Sequence, residues 1–168
     1  MSSRPSRRLG FTLFEILVVV TILLILAGMA VPSYLETVDD ALAASTRQEL
    51  QRVRTAIDYY AFQHQEQFPG WNGAAWSETT LRDQLLLASD LSGNTAAPGT
   101  PGFPYGPYLT EAIPSNPYND LNTIKVIAPG GSFPAPDDST GWVYFAVDGQ
   151  FRANSTATTP DGDPVFSL

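Results

Sequence analysis

Residues 9–31 read Leu9-Gly10-Phe11-Thr12-Leu13-Phe14-Glu15-Ile16-Leu17-Val18-Val19-Val20-Thr21-Ile22-Leu23-Leu24-Ile25-Leu26-Ala27-Gly28-Met29-Ala30-Val31. From Phe11 to Val31 the stretch carries one charge, Glu15. A helix over these residues spans roughly 32 Å at about 1.5 Å per residue, against a bilayer core of roughly 30 Å. The many β-branched residues would suit a strand, but an unbroken apolar run of this length predicts a membrane helix over 11–31. A charge inside such a helix is costly. Glu15 sits near one end, where the cost is smaller, and it still needs a reason to be there.

Before this stretch stand Arg4, Arg7 and Arg8 and no acid. The net charge of the chain is −8, so the residues beyond the first ten hold six basic and seventeen acidic groups. Basic flanks stay on the cytoplasmic side, which orients the segment with its N-terminus in and the rest of the chain out. The acidic remainder repels phosphate backbones, and no nucleic-acid partner is expected. The chain has no cysteine, which excludes a disulfide framework and thiolate metal sites. A secretory signal peptide is a competing reading. Its apolar region would be about 7–15 residues, shorter than this run, and only Ala27-Gly28-Met29-Ala30 offers a weak cleavage site. Arg7-Arg8 lacks the flanks of a twin-arginine signal. An ordinary signal anchor tolerates the sequence but gives Glu15 no task.

Pro32 follows the run and removes the helical bond to the carbonyl of Gly28. The Gly28–Pro32 pair is the expected soft point, a kink or a locally melted turn. From Ser33 to about His64 the pattern is amphipathic. Leu35, Val38, Leu42, Leu50, Val53, Ile57, Tyr60 and Ala61 recur on one side, while Arg47, Arg52, Arg54 and Asp58 help to fill the remainder. The two halves make one helix over 11–64, roughly 80 Å if straight.

The composition changes after Phe68-Pro69-Gly70. Residues 65–168 hold 12 of the 14 prolines and 11 of the 13 glycines, which makes a loop-rich domain. A short helix is predicted over Glu78–Asp90, capped by Ser77 or Thr79, with Leu81, Leu85 and Ala88 on one face. Strands are predicted over Asn122–Ala128, Trp142–Val147 and Gln150–Ala153. Asp148-Gly149 reads as a two-residue hairpin turn, and Val165–Leu168 as a terminal strand. With 168 residues there is room for one ordinary domain beside the long helix. The expected fold class is α+β: a long N-terminal helix, half in membrane and half amphipathic, packed on a small antiparallel β-sheet domain.

Gly10-Phe11-Thr12-Leu13-Phe14-Glu15, with a basic leader before it and an apolar run and Pro32 after it, resembles the N-terminus of type IV pilin-like proteins, the pilins and the pseudopilins of type II secretion. The resemblance is strong over residues 7–35. It implies a ladle-shaped fold and a leader, 1–10, cut by a prepilin peptidase between Gly10 and Phe11, with N-methylation of Phe11. It also implies that Glu15 serves assembly by meeting the N-terminal amine of a neighbouring subunit. A carboxylate that snorkels from the helix N-terminus and enjoys its dipole is the blander alternative. A second, looser match is Gly106-Pro107-Tyr108-Leu109 with Ile113-Pro114-Ser115-Asn116-Pro117-Tyr118-Asn119, which resembles a loop of many secretion pseudopilins. It favours the major, G-type branch over adhesive pilins, many of which close their C-terminal region with a disulfide.

The implied function is a structural subunit of a type II secretion pseudopilus. The implied partners are an assembly ATPase, an inner-membrane platform, minor pseudopilins, copies of the chain in a homo-oligomeric filament, and membrane lipid before assembly. The implied location is the bacterial inner membrane, single-pass, with the domain in the periplasm and later in a periplasmic filament. A type IV pilin for adhesion, motility or DNA uptake is the nearest alternative, and a membrane-anchored periplasmic binding domain a more distant one. The resemblance also raises calcium, which takes six to eight oxygens. The candidates are Asp148, Asp161 and Asp163, with Asp137 and Asp138 behind them, although a solvated turn explains any one of them. No enzymatic activity is expected. His64 is the sole histidine, expected as a polar group near a helix C-terminus, and no Gly-x-Ser-x-Gly, phosphate loop or dinucleotide fingerprint is present. Trp71, Trp76 and Trp142 are weighed as a ligand platform against core packing, with core packing favoured.

Overall fold

The computed structural model describes residues 11–132 and 134–168, and of residues 29–36 the backbone alone. Helix α1 runs over Leu13–Gln63. It is continuous in assignment past Gly28 and Pro32, but the side chain of Pro32, and with it the expected soft point, lies outside the described residues. So do the leader 1–10 and Gly10. The chain divides into two units, Met1–Val38 and Asp39–Leu168.

In the first unit every side chain from Phe11 to Gly28 is exposed. Among the described residues no helix is long and apolar enough to cross a membrane. The expected span 11–31 is therefore not recovered whole. The stretch of α1 whose side chains are described ends at Gly28, sixteen residues from Leu13, or about 24 Å. A helix apolar all round is nonetheless a helix that must be covered, by lipid or by protein.

The second unit packs one stripe of α1 against a mixed sheet. Leu50, Val53, Ile57 and Tyr60 form the core with Leu81 and Leu85 of helix α2 (Glu78–Leu86) and with Trp142, Tyr144 and Phe151 of the sheet. The predicted stripe holds from Leu50 onward. Nearer the N-terminus, Ala43 and Thr46 are the buried positions, and Val38 is exposed. Ser77 caps α2 as expected, its hydroxyl accepting from the Thr80 amide at 3.1 Å. The helix stops at Leu86 rather than Asp90. Two short strands, β1 (Ala88–Ser89) and β2 (Thr95–Ala96), take the chain next, and Ser89 also exchanges backbone bonds with Tyr105 at 2.8 and 3.1 Å.

The main sheet has the order β3 (Ile124–Ile127), β4 (Trp142–Phe145), β5 (Phe151–Ala153). All four residues of β4 are buried, as a continuous Trp-Val-Tyr-Phe run in a central strand requires. The sheet is not wholly antiparallel: β3 and β4 are parallel, with Ile124 opposite Trp142, while β4 and β5 are antiparallel. A parallel pair needs a crossover of a dozen or more residues, and the chain between Ile127 and Trp142 has that length. β3 ends the sheet on one side and carries Lys125, paired with Asp137 at 3.2 Å.

The two-residue hairpin is also corrected. Five residues, 146–150, join β4 to β5, closed by the Gly149 amide on the Phe145 carbonyl (2.9 Å). Gly149 takes φ 73° and presses on Phe68, so a side chain there has no room. The predicted terminal strand is instead a 3-10 turn, Val165–Ser167, because the segment seals Val165 into the core without a partner strand.

Candidate functional site

Thr12 and Glu15 build the first turn of α1. The Thr12 amide and hydroxyl both donate to Glu15 Oε2 at 2.9 Å, and the Glu15 amide donates to Thr12 Oγ1 at 3.2 Å. This is a reciprocal capping box, Thr-x-x-Glu, which satisfies two of the amides that a helix start leaves without partners. Both bonds to the carboxylate fall on one oxygen, so among the described residues Oε1 stays open to another donor. Glu15 thus does two compatible things. It starts the helix on its own chain, and it presents a carboxylate amid exposed Phe11, Leu13, Phe14 and Ile16. The Thr12-x-x-Glu15 spacing is the sequence signal for this box.

A family model, the prokaryotic N-terminal methylation motif, matches residues 5–31. The match takes in Gly10, Phe11, Thr12 and Glu15 and covers none of the domain. No curated protein and no solved structure matches the chain. The motif is the one carried by type IV pilin-like precursors, the class that includes the pilins and the pseudopilins, and the match is confined to the N-terminal segment. It implies an N-terminus anchored in a membrane, processing by a prepilin peptidase and assembly into a filament.

The carboxylates considered for calcium are not gathered. Asp148 lies in the β4–β5 turn, where it accepts from the Gln150 amide and side chain at 3.2 and 2.6 Å. Asp161 and Asp163 lie in a separate turn, closed by bonds between Thr159 and Asp163. Asp137 and Asp138 already accept from Ser139 and Asn154 and from Thr156 respectively. Among the described residues no group of three or more His, Asp or Glu side chains is placed to hold a metal ion. The side-chain oxygens of Asp137, Asp138 and Asp148 already accept bonds within the protein.

His64 directly follows the last residue of α1, the helix end where it was placed, and it is buried there. Its ring stacks on Tyr60 at 3.8 Å, Nδ1 faces the Tyr60 carbonyl at 2.9 Å and Nε2 the Asp90 carbonyl at 2.9 Å. Burial pushes the Tyr60 hydroxyl well above the usual phenol range. Tyr144 shifts the same way for the same reason, with its hydroxyl donating to Pro69 O at 2.8 Å. Trp142 is core, stacked on Phe151 with its indole N–H on Pro114 O at 2.9 Å. Trp76 is half-buried and packs against the core, whereas Trp71 is exposed and lies beside Trp76.

Two polar residues tie the domain together without a signal in the hydropathy pattern. Arg54 was expected on the solvent side, but its Nε donates to Phe151 O at 2.9 Å and its Nη2 to an oxygen of Leu168 at 2.7 Å. Burial, with Arg152 nearby, lowers its pKa. Gln84 is fully buried and bonds the Gly70 amide (2.6 Å), the Trp71 carbonyl (3.1 Å) and the Gly93 carbonyl (2.8 Å). The 106–119 segment is anchored as well. Tyr108 and Leu109 amides donate to Leu85 O at 2.9 Å, and the buried Asn116 donates to Gly141 O at 2.8 Å.

Proposed function

We propose that the chain is a structural subunit of a type II secretion pseudopilus, of the major, G-type branch, and not an enzyme. The observation that carries the reading is the Thr12–Glu15 turn inside the methylation motif: a carboxylate held at the head of an exposed apolar helix. After trimming, the Phe11 amine lies four residues before Glu15, about 6 Å along the axis. An ammonium from a neighbouring copy and this carboxylate satisfy each other in an apolar bundle, where either alone is penalised. That pairing sets the axial register between subunits. The choice of secretion over adhesion is supported by the anchored 106–119 segment and by the absence of cysteine from the sequence. On this reading the domain is periplasmic, the precursor sits in the bacterial inner membrane, and an ATPase with its platform protein and minor pseudopilins completes the machine.

Intact-mass analysis of the mature protein tests it. The expected species starts at Phe11 and carries one extra methyl group, and Gly10→Ala leaves the leader attached. A mature species that starts at Met1 in living cells would overturn the proposal. Long surface filaments in place of short periplasmic ones would shift it to an adhesive or motility pilus.

A further inference from the structure

Helix α1 ends on a backbone that lacks the usual glycine. Gln65 and Glu66 both take left-handed conformations, φ 58° and 64°, disfavoured for any residue with a Cβ. The Glu66 amide closes the turn on Ala61 O at 2.8 Å, a Schellman-type stop with Gln65 where glycine is the rule. The result is that Gln65, Glu66 and Gln67 stand exposed beside Trp71. Backbone strain of this kind gathers where a surface has a task.

Trp71 is a large aromatic that is 40% exposed, yet it is firmly held. Its ring lies 5.5 Å from that of Trp76, centroid to centroid, and the loop between them is closed by Asn72 Oδ1, which accepts from the Ala74 and Ala75 amides at 2.9 and 2.8 Å. The buried Gln84 amide grips the backbone on either side, at the Gly70 N–H and the Trp71 carbonyl. Preorganisation of this sort belongs to binding surfaces. Two clefts meet at Trp71 and Gln67. One, about 450 Å³, is walled by Phe68, Trp76, Pro129 and Val147. The other, about 470 Å³, is walled by Gln65, Asn72, Ser92 and Asn94. Both volumes suit a small ligand or one unit of a chain.

We propose that Trp71 and its two clefts bind a neutral polysaccharide, with one sugar ring stacked on the indole and its hydroxyls bonded by the surrounding amides. A pyranose offers a face of C–H bonds, slightly positive, to the negative face of an indole. Its rim of hydroxyls both donates and accepts, as do the exposed Gln65 and Gln67 side chains. An apolar peptide would cover Gln65 and Gln67 without offering their amides a partner. An acidic polymer would meet Glu66 and a chain of net charge −8. Because the two clefts share Trp71, a chain lies across the indole rather than ending on it. The site is independent of which filament the subunit builds.

The test uses the full processed chain in a zwitterionic detergent, since alkyl glycosides would compete. Cellohexaose and maltohexaose are titrated by calorimetry and by tryptophan emission. One of them binds saturably at about millimolar or tighter, Trp71→Ala weakens that binding about tenfold or more, and Trp71→Phe recovers part of it. Melting curves of both variants confirm that the fold survives. The proposal is overturned if neither hexasaccharide binds up to about 10 mM, if Trp71→Ala binds like the parent, or if polygalacturonate binds as tightly as the neutral sugars.

Discussion

Gln84→Met removes three hydrogen bonds from the domain while keeping most of the side-chain volume, so it isolates the polar contribution. The Gly70 N–H that it leaves behind is enclosed, and an enclosed amide without a partner costs about 1–3 kcal/mol. The carbonyls of Trp71 and Gly93 are less deeply placed and can turn to water, at about 0.5–1 kcal/mol each. The total is about 2–5 kcal/mol. For a domain of this size 1 kcal/mol moves the melting point by about 3–4 °C, so Tm falls by roughly 7–18 °C. Thermal unfolding of the full chain in micelles, followed by circular dichroism, reads the shift. Trp71 emission moves red at temperatures below the main transition, because its backbone is released first. A fall in Tm under about 3 °C would refute the claim that this amide is a structural tie.

Three further outcomes are expected. Glu15→Gln keeps an acceptor for the Thr12 amide but loses the charge, whereas Thr12→Val keeps the charge and loses the box. The first is trimmed yet stays out of sedimentable fibres and the second assembles with reduced yield, and parental assembly by Glu15→Gln would reduce the carboxylate to a cap. Gly141→Ala places a Cβ on the Leu121 carbonyl and costs more than about 3 kcal/mol, read as loss of cooperative melting. Asp137, Asp138 and Asp90 all have carboxyl pKa values below the ordinary range, held there first by Ser139, Thr156 and Asn94 side chains respectively. A depressed folded pKa gives stability that is present above the unfolded value, about 3.9, and lost as pH falls through the folded one. Tm therefore drops on acidification from about pH 5 to 2, and the Asp137→Asn curve is flatter over that window.

Hydropathy and period made α1 and its buried Leu50–Val53–Ile57–Tyr60 stripe legible, because burial of a helix face leaves a repeat in the chain. Ser77 announced α2 through its capping chemistry. The direction of β3 was not legible, since alternation along a strand is the same whichever way its neighbour runs. Arg54 and Gln84 escaped because a polar residue bonded to distant carbonyls looks, in one dimension, like a solvated one. Acids close together in a turn-rich tail suggest a shared ligand, but Asp148 sits in the β4–β5 turn and Asp161 and Asp163 in another, and among the described residues no three acids come together. The Trp71 platform needed coordinates, because nothing in composition separates an indole in the core from one on the outside.

Lys125 is the chain's single lysine, and it stands on the terminal strand of the sheet with Asp137 beside it. Strand ends of this sort invite copies to zip together, and a fibre would hold such copies at very high local concentration. A buried-type run of Ile124, Val126 and Ile127 broken by one ammonium resists that fusion, because a second strand laid alongside would have to dehydrate the charge. Neutralising this one position by acetylation should turn an orderly fibre into a sticky one.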